Sequence, residues 1–290
     1  MEPPPLHPPR RPRASIGRER RILALGGHEF SSRPHDRAVR DLVVGLAGRR
    51  AAERAREREP GPPRICLLPT ASGDPVEQSG RFHATLADRG CHASDLSLFR
   101  LARRPVALRD LLFAQDLIYV GGGSLVNLLA IWEAHDVGAV LRLAWQRGIV
   151  LAGQSAGAMC WFEAGVTKSW GRPAAAAGLG FLPGALCVHY RREPERRAAF
   201  LAGVGRGMLG GYGLDDHAGL LWEGERMAAA FSMREDARAY RVAARAGEVV
   251  ETELPARRIA AGAAPAEGED VRELRRTLGS RTGAARAAPG

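Results

Sequence analysis

Within this 290-residue chain, the segment Gly153-Gln154-Ser155-Ala156-Gly157 carries the pattern most suited to covalent chemistry. A serine hydroxyl is a poor nucleophile unless it stands clear of the backbone, close to a base and beside amide donors that can hold an oxyanion. Glycines on both sides permit the tight strand-to-helix turn that lifts the hydroxyl, and the following helix aims its first amides at the same point. The flanks agree, with apolar Gly148 to Ala152 before the turn and helix-compatible Ala156 to Phe162 after it. A small-residue turn holding an inert serine is the competing reading. A second feature, Gly121-Gly122-Gly123, follows another apolar run, Asp116 to Val120. Consecutive glycines let backbone N–H groups face a ligand unobstructed, for an oxyanion or a phosphate. Neither a Walker lysine nor a GxGxxG spacing accompanies them, so the oxyanion is assigned, with the amides of Gly123 and Ala156 as its donors. A simple turn competes here too.

The base that serves such a serine is a histidine at a strand end or on a loop. His189 follows the apolar run Leu186-Cys187-Val188, downstream of the nucleophile as is usual in α/β serine hydrolases. His217, beside Asp216, is its rival. His28 follows the first strand and lines the prospective pocket, His7 lies in the N-terminal tail, and His35, His83, His92 and His135 read as surface or helix positions.

Positioning these residues takes a sheet. Short apolar runs at Arg21 to Leu25, Arg64 to Pro69, Ala93 to Leu98, Asp116 to Val120 and Gly148 to Ala152 alternate with helical sequence at Asp36 to Arg58, Pro75 to Arg89 and Leu125 to Arg147. Continuously apolar strands alternating with helices imply a mostly parallel α/β sheet covered on both faces, with ligands beyond the carboxyl ends of its strands. Gly26-Gly27, Gly121 to Gly123 and Ser155 all fall at such ends. Strand-like pieces at Leu186 to Val188, Leu220 to Trp222 and Met227 to Phe231 either complete that sheet or add an antiparallel extension. One α/β domain is expected at residues 21–261, between a basic, disordered tail at 1–20 and another at 262–290.

The net charge of +10 invites a nucleic-acid partner, but Lys168 is the only lysine among 42 basic residues. Much of the excess arginine lies in the two tails, which read as solvated rather than as a binding face. Four scattered cysteines, Cys66, Cys91, Cys160 and Cys187, form no CxxC pair and suggest reduced thiols. No signal-peptide core or membrane span is apparent. A cytoplasmic protein with no metal or organic cofactor, no nucleic-acid partner and no membrane partner is expected; the oligomeric state is not legible.

Taken in order, Leu25-Gly26-Gly27, Leu68 to Ser72, Val120 to Ser124, Gly153 to Ala158, Gly178 to Gly184 and His189-Tyr190 resemble the dipeptidase E and cyanophycinase family of serine peptidases, most closely its dipeptidase E-like branch. The resemblance spans roughly residues 21 to 235. It implies a flavodoxin-like, class I glutamine amidotransferase-like fold rather than a true α/β-hydrolase. It also implies a serine nucleophile at Ser155, a catalytic histidine at His189, and oxyanion donors at Gly123 and Ala156. Family members often carry an acid in the stretch matching Thr167-Lys168-Ser169, where this chain has Lys168. The third triad member is therefore open between Glu163, Asp216 and none. The dipeptidase E type cleaves dipeptides with an N-terminal aspartate, which calls for an arginine in the pocket, and Arg196 is the approximate match. The expected activity is hydrolysis of short peptides through an acyl-enzyme. A non-catalytic relative binding a peptide or metabolite in the same cleft is the alternative, favoured by Lys168, and an esterase or lipase is a weaker third.

Overall fold

The computed structural model describes residues 19–28, 34–57, 60–103 and 106–260. Its strands are β1 (Arg21–Leu25), β2 (Arg64–Leu68), β3 (His92–Asp95), β4 (Leu117–Val120), β5 (Val150–Gln154), β6 (Phe162–Thr167), β7 (Ala174–Ala177), β8 (Leu182–Val188), β9 (Gly211–Leu214), β10 (Ala218–Glu223), β11 (Arg226–Ser232), β12 (Ala239–Arg245), β13 (Glu248–Glu253) and β14 (Arg257–Arg258). The helices are α1 (Pro34–Glu57), α2 (Val76–Leu86), α3 (Leu108–Phe113), α4 (Leu125–Ala134), α5 (Val137–Gln146), α6 (Ala156–Met159) and α7 (Pro194–Gly205).

Two sheets result. The main sheet has the order β14-β11-β10-β1-β5-β4-β2-β3, parallel from β1 through β3, with β10 antiparallel on its other side. Its central strands carry continuous apolar runs, Ile22 to Leu25, Ile65 to Leu68, Leu117 to Val120 and Val150 to Ala152, because both faces are covered. Leu23, Leu25, Leu67 and Tyr119 pack against Ala38, Val39, Leu42, Val43 and Leu46 of α1 and against Phe82 and Leu86 of α2. Alternate residues, Ile22, Ala24, Ile118 and Val120, meet Leu128 and Trp132 of α4 and Leu141 and Trp145 of α5 on the opposite face. The α/β, flavodoxin-like expectation agrees with this layering.

The second sheet, β13-β12-β9-β8-β6-β7, was not resolved from the sequence as a separate layer. Phe162, Leu186, Val188 and Leu214 join the core of the main sheet, while Val166, Ala185, Cys187 and Val242 face Phe200 and Val204 of α7. Of the downstream strand pieces, β10 and β11 extend the main sheet in antiparallel fashion as one expectation had it, whereas β8 joins neither route and pairs parallel with β6 and β9 in the second sheet. Two helical expectations are also refined. The run Leu125 to Arg147 breaks at Asp136, whose left-handed φ of 53° suits the short polar side chain of aspartate. The helix after Ser155 ends at Met159, because Phe162 already pairs with Leu182 in β6.

No helix among the described residues is long and apolar enough to cross a membrane. Apart from Glu19 and Arg20, the tails expected at 1–20 and 262–290 lie outside the described residues.

Candidate active site

Ser155 sits between β5 and α6 with φ 52° and ψ −116°, a backbone conformation that side-chain-bearing residues rarely adopt. Its N–H donates to the Leu25 carbonyl at 3.0 Å, and its own carbonyl accepts from Ala158 and Met159 at 3.0 and 2.9 Å. The flanking glycines are required by close backbone approach: a Cβ on Gly153 would come within 2.1 Å of the Gly157 carbonyl, and one on Gly157 within 2.3 Å of the Val120 carbonyl. The strained turn is thereby clamped between β1, β4 and its own helix.

Beside it runs the triglycine strip. The amides of Gly121 and Ser124 are committed to the carbonyls of Leu68 and Ala71 at 3.0 and 2.8 Å. Those of Gly122 and Gly123 have no hydrogen bond to a described backbone acceptor. Gly123 has φ 144°, and a Cβ there would meet the Ala71 carbonyl at 2.2 Å; a Cβ on Gly122 would stand 3.3 Å from that of Ser155. As first residue of its helix, Ala156 has no intrahelical acceptor for its N–H. Amides without an acceptor among the described residues therefore flank the serine on both sides, those of Gly122 and Gly123 on the strip and that of Ala156 on the helix.

The rest of the constellation arrives from the second sheet. His189 directly follows β8, and its Nε2 lies 2.9 Å from Ser155 Oγ. Its Nδ1 is hydrogen-bonded to Asp216 Oδ1 in the loop between β9 and β10. Asp216 Oδ2 accepts from Arg192 Nη1 at 2.6 Å. Burial pushes the Asp216 carboxyl upward, but the His189 hydrogen bond and the charges of His189 and Arg192 outweigh it and hold the group below the usual carboxylate range. Neighbouring Asp215 fixes the backbone instead, accepting from Arg191 N at 3.1 Å, Arg191 Nε at 2.7 Å and Arg238 N at 2.8 Å. Gly27 packs directly on the His–Asp bond, where a Cβ would lie 2.5 Å from Asp216 Oδ1 and 2.6 Å from His189 Cε1.

The other candidates lie elsewhere. Glu163 accepts from Gly184 N at 2.6 Å, and Lys168 pairs with Glu195 at 2.8 Å and Glu193 at 3.4 Å. His217 turns its Nδ1 toward Asp36, 3.8 Å away, rather than toward the serine. Arg196 is 7% exposed, with Nη2 on Glu193 at 3.1 Å and Nη1 on the Val188 carbonyl at 3.4 Å. Arg192, with a side chain 69% exposed, is the arginine that pairs with the Asp216 carboxylate among the described residues. Its position three residues past the histidine was visible in the sequence, but nothing there separated it from the other arginines.

His28 is 8% exposed and lies 3.1 Å through Nε2 from the Tyr119 hydroxyl. Burial pushes its imidazole down to about 3, helped by His217 and opposed by Asp36 and Asp216. The unfolded chain takes up that proton near 6.5, so the stability this neutral histidine contributes is complete above pH 6.5 and is lost as the pH falls toward 3. The slope is about 1.4 kcal/mol per pH unit for one proton. Urea unfolding of His28→Gln between pH 7 and 4 should show a stability profile flatter by one proton than wild type; parallel profiles would refute the assignment.

Among the described residues, no group of three or more His, Cys, Asp or Glu side chains is arranged to hold a metal. A family profile for peptidase family S51 matches residues 22–230. The chain is 38% identical over 237 residues to the uncharacterized peptidase YgaJ of Bacillus subtilis (strain 168), covering 81% of this chain and 97% of that relative. The crystal structure of a peptidase from an acI-B1 Actinobacterium superposes with a TM-score of 0.59 at 17% identity, over 81% of this chain and 94% of that one, a likeness of fold. With its nucleophile-type turn inside the matched region, the chain belongs to peptidase family S51, the serine peptidases of the dipeptidase E and cyanophycinase kind.

Proposed function

We propose that this serine peptidase hydrolyses short peptides with an acidic N-terminal residue, using Ser155, His189 and Asp216 as a triad. The observation that carries the reading is the unbroken hydrogen-bonded chain from Ser155 Oγ through His189 to Asp216. His189 Nε2 takes the hydroxyl proton as Oγ attacks the scissile carbonyl, and Asp216 stabilises the imidazolium that forms. The amides of Gly123 and Ala156 receive the oxyanion. Collapse of that intermediate passes the proton from His189 to the leaving amine and leaves an acyl-serine. Water, deprotonated by the same histidine, then releases the acid and restores Oγ–H. The non-catalytic alternative drew on Lys168 standing where an acid was expected; Asp216 supplies the acid from another loop.

For the acidic residue, Arg192 takes the part that the family resemblance assigned to Arg196. Its Nη1 donates to Asp216, and a guanidinium has further donors that can fork onto a substrate carboxylate. Dipeptides differing only at the N-terminal residue should be cleaved with kcat/KM favouring Asp over Leu. In Arg192→Ala that ratio should fall about tenfold, the low end for a charge-assisted bond because the side chain is exposed. An unchanged ratio would remove the acidic specificity and leave the serine chemistry untouched.

A further inference from the structure

Gln154 ends β5 immediately before the nucleophile and is half-buried. Its side chain reaches toward Tyr119 of β4, whose hydroxyl donates to Oε1 at 3.4 Å. The same hydroxyl lies 3.1 Å from Nε2 of His28, whose ring meets the tyrosine edge-on. The acceptor end of the amide is thus anchored in the sheet. The donor end has no hydrogen bond to a described residue. It lies 3.5 Å from the place a Cβ would occupy on Gly122, itself 3.3 Å from the Ser155 Cβ. Gln78, at the start of α2, repeats the arrangement one residue back along the strip. Its Oε1 accepts from the Ser72 hydroxyl at 2.6 Å, and its Nε2 is 2.7 Å from the place of a Cβ on Gly121. Two neutral amides, each with its oxygen held by a hydroxyl, therefore present NH2 groups along glycines that leave the space open.

We propose that Gln154 is a specificity-determining residue whose Nε2 donates to a side-chain oxygen of the substrate residue that owns the scissile carbonyl. This rests on the peptidase reading above. With its oxygen held by the amides of Gly123 and Ala156, that carbonyl lies beside the glycine strip, so its own residue is the part of the substrate nearest Gln154. The fitting ligands are carboxylate and carboxamide side chains. Tyr119 acts as a positioning residue, deciding which end of the amide faces the cleft, and Gln78 supplies a second donor. Charge is not what Gln154 reads: a carboxamide satisfies it as well as a carboxylate, whereas Arg192 separates the two.

The test uses diphenyl aminoalkylphosphonates, which phosphonylate an activated serine, with side chains mimicking Asp, Asn and Leu. Inactivation rates are measured on the full chain as wild type, Gln154→Met, Tyr119→Phe and Arg192→Ala. Gln154→Met should slow reaction with the Asp and Asn probes about tenfold and leave the Leu probe nearly unchanged, the loss expected for one hydrogen bond to substrate. Tyr119→Phe should shift the same ratios by a smaller factor, and Arg192→Ala should affect the Asp probe alone relative to Leu. A fluorophosphonate without a recognition side chain reports whether Ser155 remains reactive in each protein. Unchanged Asn-to-Leu ratios in Gln154→Met with intact fluorophosphonate labelling would overturn the proposal by itself. Should Gln154→Met lose that label, Tyr119→Phe decides, and an unchanged ratio there overturns it. Absence of labelling in wild type overturns both this inference and the peptidase reading.

Discussion

Ser155→Ala should abolish fluorophosphonate labelling and lower peptide turnover by about 10⁵- to 10⁶-fold, the loss typical of a nucleophile removed from a coupled triad. The size follows from how much of the local structure converges on one oxygen. The turn is clamped by Leu25 and by two glycines with no room for a Cβ, so Oγ is held 2.9 Å from His189 Nε2. Alanine fits the same space, because the change removes Oγ alone and leaves the Cβ in place. The variant should therefore keep the wild-type melting temperature, and the loss is chemical. His217→Ala, whose ring faces Asp36, should keep the label. Labelling that persists in Ser155→Ala would move the nucleophile elsewhere.

The second large effect is expected from Asp216→Asn, a fall in kcat of about 10⁴ with little change in fold. An amide in that position can turn its NH2 group toward His189 Nδ1, favouring the tautomer whose Nε2 already carries a proton and cannot accept one from serine. It also removes the charge that stabilises the imidazolium. The bond to Arg192 and the contact with Gly27 leave the carboxylate little freedom, so the loss should not be recovered by rotation. Glu163→Gln is the comparison, expected within a few-fold of wild type because Glu163 bonds the Gly184 amide. A full loss in Glu163→Gln with an active Asp216→Asn would exchange their roles. Since the surroundings hold the Asp216 carboxyl below the usual range, mild acid should not protonate it, and turnover lost there must come from another group.

The sequence revealed the main sheet more fully than the second. Buried parallel strands such as Arg21–Leu25 and Leu117–Val120 announce themselves as unbroken apolar runs. The Gly-x-Ser-x-Gly turn was legible because its glycines answer to contacts made within and next to the turn. The second sheet hid in small residues: β7 is four alanines, and β9 is Gly211–Leu214, with two glycines packed against Ala185 and Tyr190. Neither run has the continuous bulk that marks a buried strand. Asp216 stayed one of three options because its position depends on the pairing of β9 with β8 and of β10 with β1, contacts with no local pattern. The arginines after His189 could not be ranked for a similar reason. Arg192 and Arg196 differ in whether the start of α7 buries them, and one turn of helix decides it.

Under the proposed mechanism, the seam between the two sheets ties full activity to completion of the fold. Serine comes from β5 of one sheet and histidine from the end of β8 of the other; the acid sits on the loop that crosses back between them, anchored where Leu25 pairs with Gly219. On the ribosome, Ser155 emerges well before the segment that closes this circuit. Until Ala218–Glu223 has been made and has slotted in beside β1, a nascent chain holds a serine with no fixed acid behind its base. Latency of this kind needs no propeptide or inhibitor.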